Sequence, residues 1–234
     1  MIELLQQTGG LIGSLEDIRA LSQKNHARIL VVSDTHTFLR PFRKIIEKYG
    51  PNCDALIFAG DGVDDICSFL EEADIDEEFR NQLPPVLAFV HGNNDERAFS
   101  VAYDIGKNNK DAKDLYKGTV IVPSQQILSV NGHNILIVHG AEEGIYYSYT
   151  PLVNMAKIFF CDTIVCGHTH VPGEITEDGC KIINPGSLRL PRKFPVHSFA
   201  ILTVEKDFID TAFIGMKNLY SPAPDFEIYT PPML

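Results

Sequence analysis

Five short apolar runs punctuate this chain, and each stops at a metal-binding type of side chain beside Gly, Ser or Asn. Arg28 to Val32 (RILVV) runs into Ser33-Asp34-Thr35-His36, and Ala55 to Ala59 (ALIFA) into Gly60-Asp61-Gly62. Val86 to Val90 (VLAFV) runs into His91-Gly92-Asn93-Asn94-Asp95, ILIV into His139-Gly140, and Thr163 to Cys166 into Gly167-His168-Thr169-His170. Runs this short, and β-branched without alternation, read as strands buried on both faces. Functional groups in α/β sheets gather at the carboxyl ends of strands, so five strands can deliver Asp34, His36, Asp61, Asn93, His139, His168 and His170 to one crevice. In an extended chain His168 and His170, two apart, point to the same side.

Helical patterns fall between these runs. Phe42, Ile45, Ile46 and Tyr49 repeat at helical spacing over 38–49, and Gly50-Pro51 closes the segment. A helix over about 65–82 follows, with nine Asp or Glu between 61 and 78 forming a solvated face. Residues 151–160 read as a further helix. Asn131-Gly132 marks a type I′ hairpin turn, Asp178-Gly179 a second hairpin, and the alternating segments 199–204 and 208–214 an antiparallel pair. With 234 residues the chain fits one large α/β domain or two small ones. Without internal repeats or linkers, one is simplest.

Three stretches lie outside this scheme. Residues 1–27 form a lead-in with a short helix, in which Ser14 and Asp17 resemble a capping signal and Leu15, Ile18, Ala20 and Leu21 form a stripe. Gly9, Gly10 and Gly13 follow no strand and carry no GK[ST], so they read as flexible rather than as a phosphate loop. Residues 104–118, with Lys107, Lys110, Lys113 and Lys117, read as a surface loop or short helix. The Pro-rich residues 217–234 form a tail that drapes over the surface or hangs free, leaving 28–216 as the domain.

Charge and cysteine usage narrow the function. A formal net charge of -11 argues against bulk binding to nucleic acid or to an anionic membrane, both of which need Lys and Arg to displace counterions. Cys53, Cys67, Cys161, Cys166 and Cys180 form no CxxC pair and read as small buried thiols in a reducing compartment. No secretory pattern opens the sequence and no run approaches a membrane helix of about 18 residues. These features predict a cytoplasmic protein.

Seven oxygen and nitrogen ligands exceed one tetrahedral site and suit two five- or six-coordinate ions sharing a carboxylate. Carboxylate, imidazole and amide without thiolate favour Mn, Fe, Zn, Co or Ni over copper. Two such ions would hold a bridging hydroxide and clamp a phosphoryl group. A small-molecule phosphoester is therefore the expected substrate.

The ordered series D-x-H (34–36), G-D-x-x-D (60–64), G-N-x-D (92–95), H-G (139–140) and G-H-T-H (167–170) resembles the calcineurin-like metallophosphoesterase superfamily. The pattern G-H-T-H-x-P followed by N-P-G-S is similar to its small single-domain bacterial and archaeal phosphodiesterase branch. The resemblance implies an α/β fold of two mixed β-sheets packed as a sandwich flanked by helices. It implies that Asp34, His36, Asp61 and His170 hold one metal and Asp61, Asn93, His139 and His168 the other, Asp61 bridging. Asp64 and Asp95 match positions that orient neighbours. Many members carry His where this chain has Asn94, and an amide cannot protonate the leaving oxygen in that way.

The resemblance thus implies a dinuclear phosphoesterase, a phosphodiesterase ahead of a monoesterase, with slow turnover and a preference for acidic leaving groups. The rival is a phosphoesterase-like scaffold that binds protein partners without catalysis. Arg97, Arg189, Arg192 and Lys193 are candidates to contact phosphate or are solvated surface. A second copy of the chain is left open as a partner.

Overall fold

The computed structural model describes residues 5–104 and 115–231. The three parallel runs come first: β1 (Ala27–Val32), β2 (Ala55–Phe58) and β3 (Val86–Phe89) lie side by side, with helix α2 (Leu39–Tyr49) after β1 and helices α3 (Val63–Ile75) and α4 (Glu77–Arg80) after β2. Helix α1 (Leu15–Ser22) precedes them, its N-cap Ser14 accepting from Asp17 N. The acidic segment breaks in two because Asp76 leaves helical geometry and caps α4, accepting from Phe79 N at 3.0 Å.

The later strands complete two sheets. An antiparallel pair, β4 (Ala98–Asp104) and β5 (Leu115–Ile121), precedes β6 (Gln125–Val130) and β7 (His133–Val138), then α5 (Thr150–Ile158) and β8 (Thr163–Val165). The hairpins β6–β7 and β9–β10 (Gly173–Glu177, Cys180–Asn184) turn at Asn131-Gly132 and Asp178-Gly179, all four residues at positive φ as type I′ requires. With β11 (His197–Val204), β12 (Ile209–Lys217) and β13 (Asp225–Tyr229), one sheet runs β13-β12-β11-β1-β2-β3 and the other β6-β7-β8-β10-β9.

Strand alternation sorts the core into layers. Leu30, Val32, Leu56, Phe58, Leu87 and Phe89 face Phe42 and Ile45 of α2 and Phe69 and Leu70 of α3. Ile29, Val31, Ala55, Ile57, Val86 and Ala88 face the second sheet's Leu128, Val130, Ile135, Ile137 and Val165. That sheet's outer face, with Leu136, Val138 and Ile164, packs on Leu152, Val153 and Ala156 of α5. The result is the expected sandwich of two mixed sheets between helical layers, with β1, β2, β3, β7 and β8 buried at nearly every position so that neither of their faces meets water.

Three expectations change. The lead-in is pinned: Ile12 pairs with Leu87 on the open edge of β3 (Ile12 N to Leu87 O 2.9 Å), and the Gln6 amide donates to Ile121 O at 2.7 Å and accepts from Ile121 N at 2.9 Å. An unpaired sheet edge supplies the partners that local sequence does not. Of the segment 104–118 expected as a loop or short helix, residue 104 and residues 115–118 belong to the antiparallel strands β4 and β5, while residues 105–114, with Lys107, Lys110 and Lys113, lie outside the described residues. The tail is not free along its whole length, since β13 pairs antiparallel with β12. All five cysteines are buried and unpaired, and among the described residues no helix is long and apolar enough to cross a membrane.

Candidate metal centre

The strands stop just before the residues of interest, and the backbone there turns sharply. Asp34, His36, Asp61, His168 and His170 all adopt positive φ, between 47° and 63°, a region L-residues seldom enter and Asp and His tolerate better than most. His168 and His170 therefore do not converge by strand alternation, because β8 ends at Val165. The left-handed turns aim them instead.

His36 Nε2 lies 3.3 Å from His170 Nε2, and His170 Nε2 lies 3.0 Å from Asp34 Oδ1. Adjacent ligands about 2.1 Å from one ion sit roughly 3 Å apart, so these are the spacings of a single coordination sphere. Asp34, His36, Asp61 and His170 could together hold a metal ion, one ligand atom of each lying within 4.8 Å of the others. On the far side of Asp61, His139 Nε2 stands 3.5 Å from Asp61 Oδ2 and 3.2 Å from Asn93 Oδ1. The His139 and His168 rings meet edge to face with centroids 5.1 Å apart. Asp61 Oδ2 is also 4.0 Å from His36 Nε2, which puts one carboxylate oxygen between two ligand groups.

The second ring nitrogens fix the imidazoles. His139 Nδ1 is 2.8 Å from Ala59 O and His170 Nδ1 is 2.6 Å from Leu190 O, so each presents Nε2 to the centre. Burial opposes ionisation of Asp61, yet His139 and the Asn94 backbone and side chain hold its carboxyl well below the usual carboxylate range. Burial likewise opposes charge on His139, but Asp61 and Asp34 outweigh it and push the imidazole up to about 9. Burial lowers His36 and His168, keeping them neutral and able to ligate. Asp34 Oδ1 is buried and accepts no hydrogen bond. An anionic pocket with an orphaned carboxylate oxygen fits a cation.

Around this centre Asp95 accepts from the backbone N–H groups of Asp61, Gly62, Val63 and Gly92 at 2.6 to 2.9 Å, stapling the β2 and β3 loops together. Asn94 donates to both Asp61 oxygens, from its backbone N at 2.9 Å and from Nδ2 at 2.7 Å. Asp64 is a correction. It sits exposed in the first turn of α3 and makes no side-chain hydrogen bond among the described residues, while Asp65, one helical step round, is buried. A shift of about 100° per residue separates the two, and the family spacing does not resolve it.

Several contributors escaped the sequence. Ser33 donates to Asp34 Oδ2 at 2.6 Å and Ser187 to Asp34 O at 2.8 Å. Gly92 and Gly167 permit close approach: a Cβ would stand 2.1 Å from Asp61 Oδ1 at the first and 2.6 Å from Asp34 Oδ2 at the second. Tyr146 packs its ring on His168, centroids 4.8 Å apart, and donates to His168 O at 3.0 Å. Ser33 and the two glycines carried a signal as neighbours of ligands, and Ser187 as the end of the N-P-G-S pattern; Tyr146 carried none. Arg189 reaches His36 O and Thr37, Arg192 reaches the Tyr146 hydroxyl, and Arg97 lies 3.7 Å from Glu142.

The comparisons agree with this fold. Residues 28–207 match the model of the calcineurin-like phosphoesterase superfamily domain. The chain is 28% identical over 185 residues to the probable metallophosphoesterase YsnB of Bacillus subtilis, covering 79% of this chain and 89% of that protein. It is 26% identical over 168 residues to a probable metallophosphoesterase of Mycoplasma pneumoniae, covering 70% and 81%. Among solved structures, a Streptococcus pneumoniae protein described as a predicted phosphoesterase superposes with TM-score 0.58 at 19% identity, covering 87% of this chain and 98% of that one. Vacuolar protein sorting 29 of Cryptosporidium parvum gives 0.58 at 16%, covering 88% and 98%. Family match, sheet architecture and clustered ligand types lead to one statement: the chain belongs to the calcineurin-like phosphoesterase superfamily.

Proposed function

We propose that this protein is a cytoplasmic phosphoesterase that works with two divalent cations, Mn foremost, and that it acts on diesters ahead of monoesters. One carboxylate oxygen carries the proposal: Asp61 Oδ2 lies 4.0 Å from His36 Nε2 and 3.5 Å from His139 Nε2. Asp34, His36, Asp61 and His170 would hold one cation, and Asp61, Asn93, His139 and His168 the other. When bound, such a pair supplies Lewis acidity toward phosphoryl oxygens and a nucleophile at neutral pH. Asp95 and Asn94 keep Asp61 in place through the hydrogen bonds described above. The Asn94 amide has no proton to release to the departing oxygen, so the proposed reaction favours leaving groups that are stable as anions. Rates for alkyl and aryl esters of rising leaving-group pKa would fall steeply; a flat series would reveal another acid.

The diester preference draws support from an archaeal phosphodiesterase of similar fold, TM-score 0.53 at 22% identity, covering 80% of this chain and 99% of that one. Five buried unpaired thiols support a reducing compartment. The test is hydrolysis of an aryl phosphodiester with added Mn²⁺, with Asp61→Asn and His139→Ala as controls expected to lose activity at least about a hundredfold. Vps29 neighbours keep a scaffold role as the second reading, and the zinc complex of the Entamoeba histolytica protein has the same fold at TM-score 0.57. A parent without metal-dependent activity would favour that second reading.

A further inference from the structure

Beside the metal centre the loop after β7 and the loop before β11 enclose an open cleft of about 280 Å³ lined by Tyr146, Tyr147, Tyr149, Thr169, Val171 and Lys193. Tyr146 joins cleft and centre, since its ring touches that of His168 and its hydroxyl holds His168 O. Two of the rings stand in water, Tyr146 52% and Tyr147 95% exposed, and as both line the cleft their surfaces are open to a planar ligand. Lys193 adopts φ 63° at the rim, a conformation costly for a lysine and typical of ligand-facing segments.

The charge of this rim runs against that of the protein. In a chain of net charge -11, none of Arg189, Arg192 and Lys193 enters an ion pair among the described residues. Among the described residues Arg189 and Arg192 bond neutral oxygens only, and Lys193 faces the Phe194 ring at 5.7 Å. Their charge is free to meet an anion. On the other side, the recess next to Asn93 and His139 is lined by Glu142 and Glu143, which disfavours an anionic group there. An anionic ligand with a flat ring is therefore drawn to the tyrosine side.

We propose that this cleft binds the base of a nucleotide whose phosphate lies on the metal centre, which makes the substrate an ester of a nucleoside phosphate. The inference deepens the phosphoesterase reading and rests on it. Base-on-tyrosine stacking is tolerant of base identity, so the cleft selects nucleotides as a class. Tyr147 supplies the free ring face, Tyr146 the wall nearest the phosphate, and Arg192 and Lys193 the positive rim.

Calorimetric titration of the Mn²⁺-loaded protein with AMP and with glycerol 3-phosphate separates base from phosphate. AMP is expected to bind at least about tenfold more tightly. Tyr147→Ala should bring the two within about threefold, and Tyr147→Phe, which keeps the ring, should restore the gap. Equal affinities in the parent, or a preference that survives Tyr147→Ala, overturn the proposal. A protein that prefers AMP yet hydrolyses no ester keeps the cleft and loses the catalytic reading; one that binds neither compound loses both.

Discussion

Asp34 shows how tightly single atoms are fitted at the centre. Its Oδ2 accepts from Ser33 and, at 3.1 Å, from His168 N, while Oδ1 is left for the cation side. The space is kept open by Gly167, where a Cβ would stand 2.0 Å from Ser33 Oγ. Gly167→Ala must displace Ser33 or Asp34, and overpacking of this kind costs about 1–3 kcal/mol. Urea unfolding should show that loss and a Mn²⁺ titration a weaker site; unchanged metal affinity would refute the fit argued here. Asp65 makes a different prediction. Burial pushes its carboxyl from the ordinary 3.8 up to about 6, and its Oδ2 accepts no hydrogen bond. The folded protein then holds this proton more tightly than the unfolded chain. The resulting stability is full below about pH 4 and lost as pH rises through about 6. Relative to Asp65→Asn, the parent should lose about 2–3 kcal/mol between pH 4 and pH 7; parallel stability profiles for the two would contradict it. The sequence could not point to Asp65, because Asp64 fills the family position and only packing shows which of the two is buried.

Elements were legible in proportion to their burial. The runs that became β1, β2, β3, β7 and β8 are buried at nearly every position, so composition alone announced them. The two tight hairpins were equally plain, since Asn131-Gly132 and Asp178-Gly179 are needed for the positive φ of their turns. Strands β4, β5 and β13 were missed because their order comes from a partner rather than from their own pattern: β13 is nowhere fully buried and exists as an addition to the edge of β12. Edge β3 follows the same logic from the other side. Buried Gln126 accepts from Phe89 N at 2.8 Å and donates to Gly9 O at 3.3 Å, standing in for a missing strand and tying the two sheets to the lead-in. Gln126→Leu would strand the Phe89 amide in an apolar layer, at about 1–3 kcal/mol. Denaturation should show that loss, and amide exchange at Phe89 should quicken; a variant as stable as the parent would mean that this bond adds nothing beyond shape.

At the scale of the molecule, chain order carried the site. Side chains 136 positions apart, from Asp34 to His170, meet because parallel strands end at one edge of the sandwich, and five apolar runs with similar endings made that convergence readable. The loops that flank the centre were not readable, since nothing local tells Tyr146 that His168 will lie beneath it. The same convergence gathers Asp34, Asp61 and Asp95 at one end of an already acidic chain, so the fold carries repulsion that a cation would relieve. Metal binding should therefore appear as stability. At a free Mn²⁺ concentration a hundredfold above Kd, binding adds about 2.7 kcal/mol, a rise of roughly 5–10 °C in Tm for a chain of this size, and a chelator should reverse it. Asp34→Asn keeps the shape and the Ser33 and His168 contacts but removes one buried charge. Without metal it should melt at or above the parent's Tm, and with Mn²⁺ it should gain little. A full metal-induced shift in that variant would place the cation somewhere other than between Asp34, Asp61 and His170.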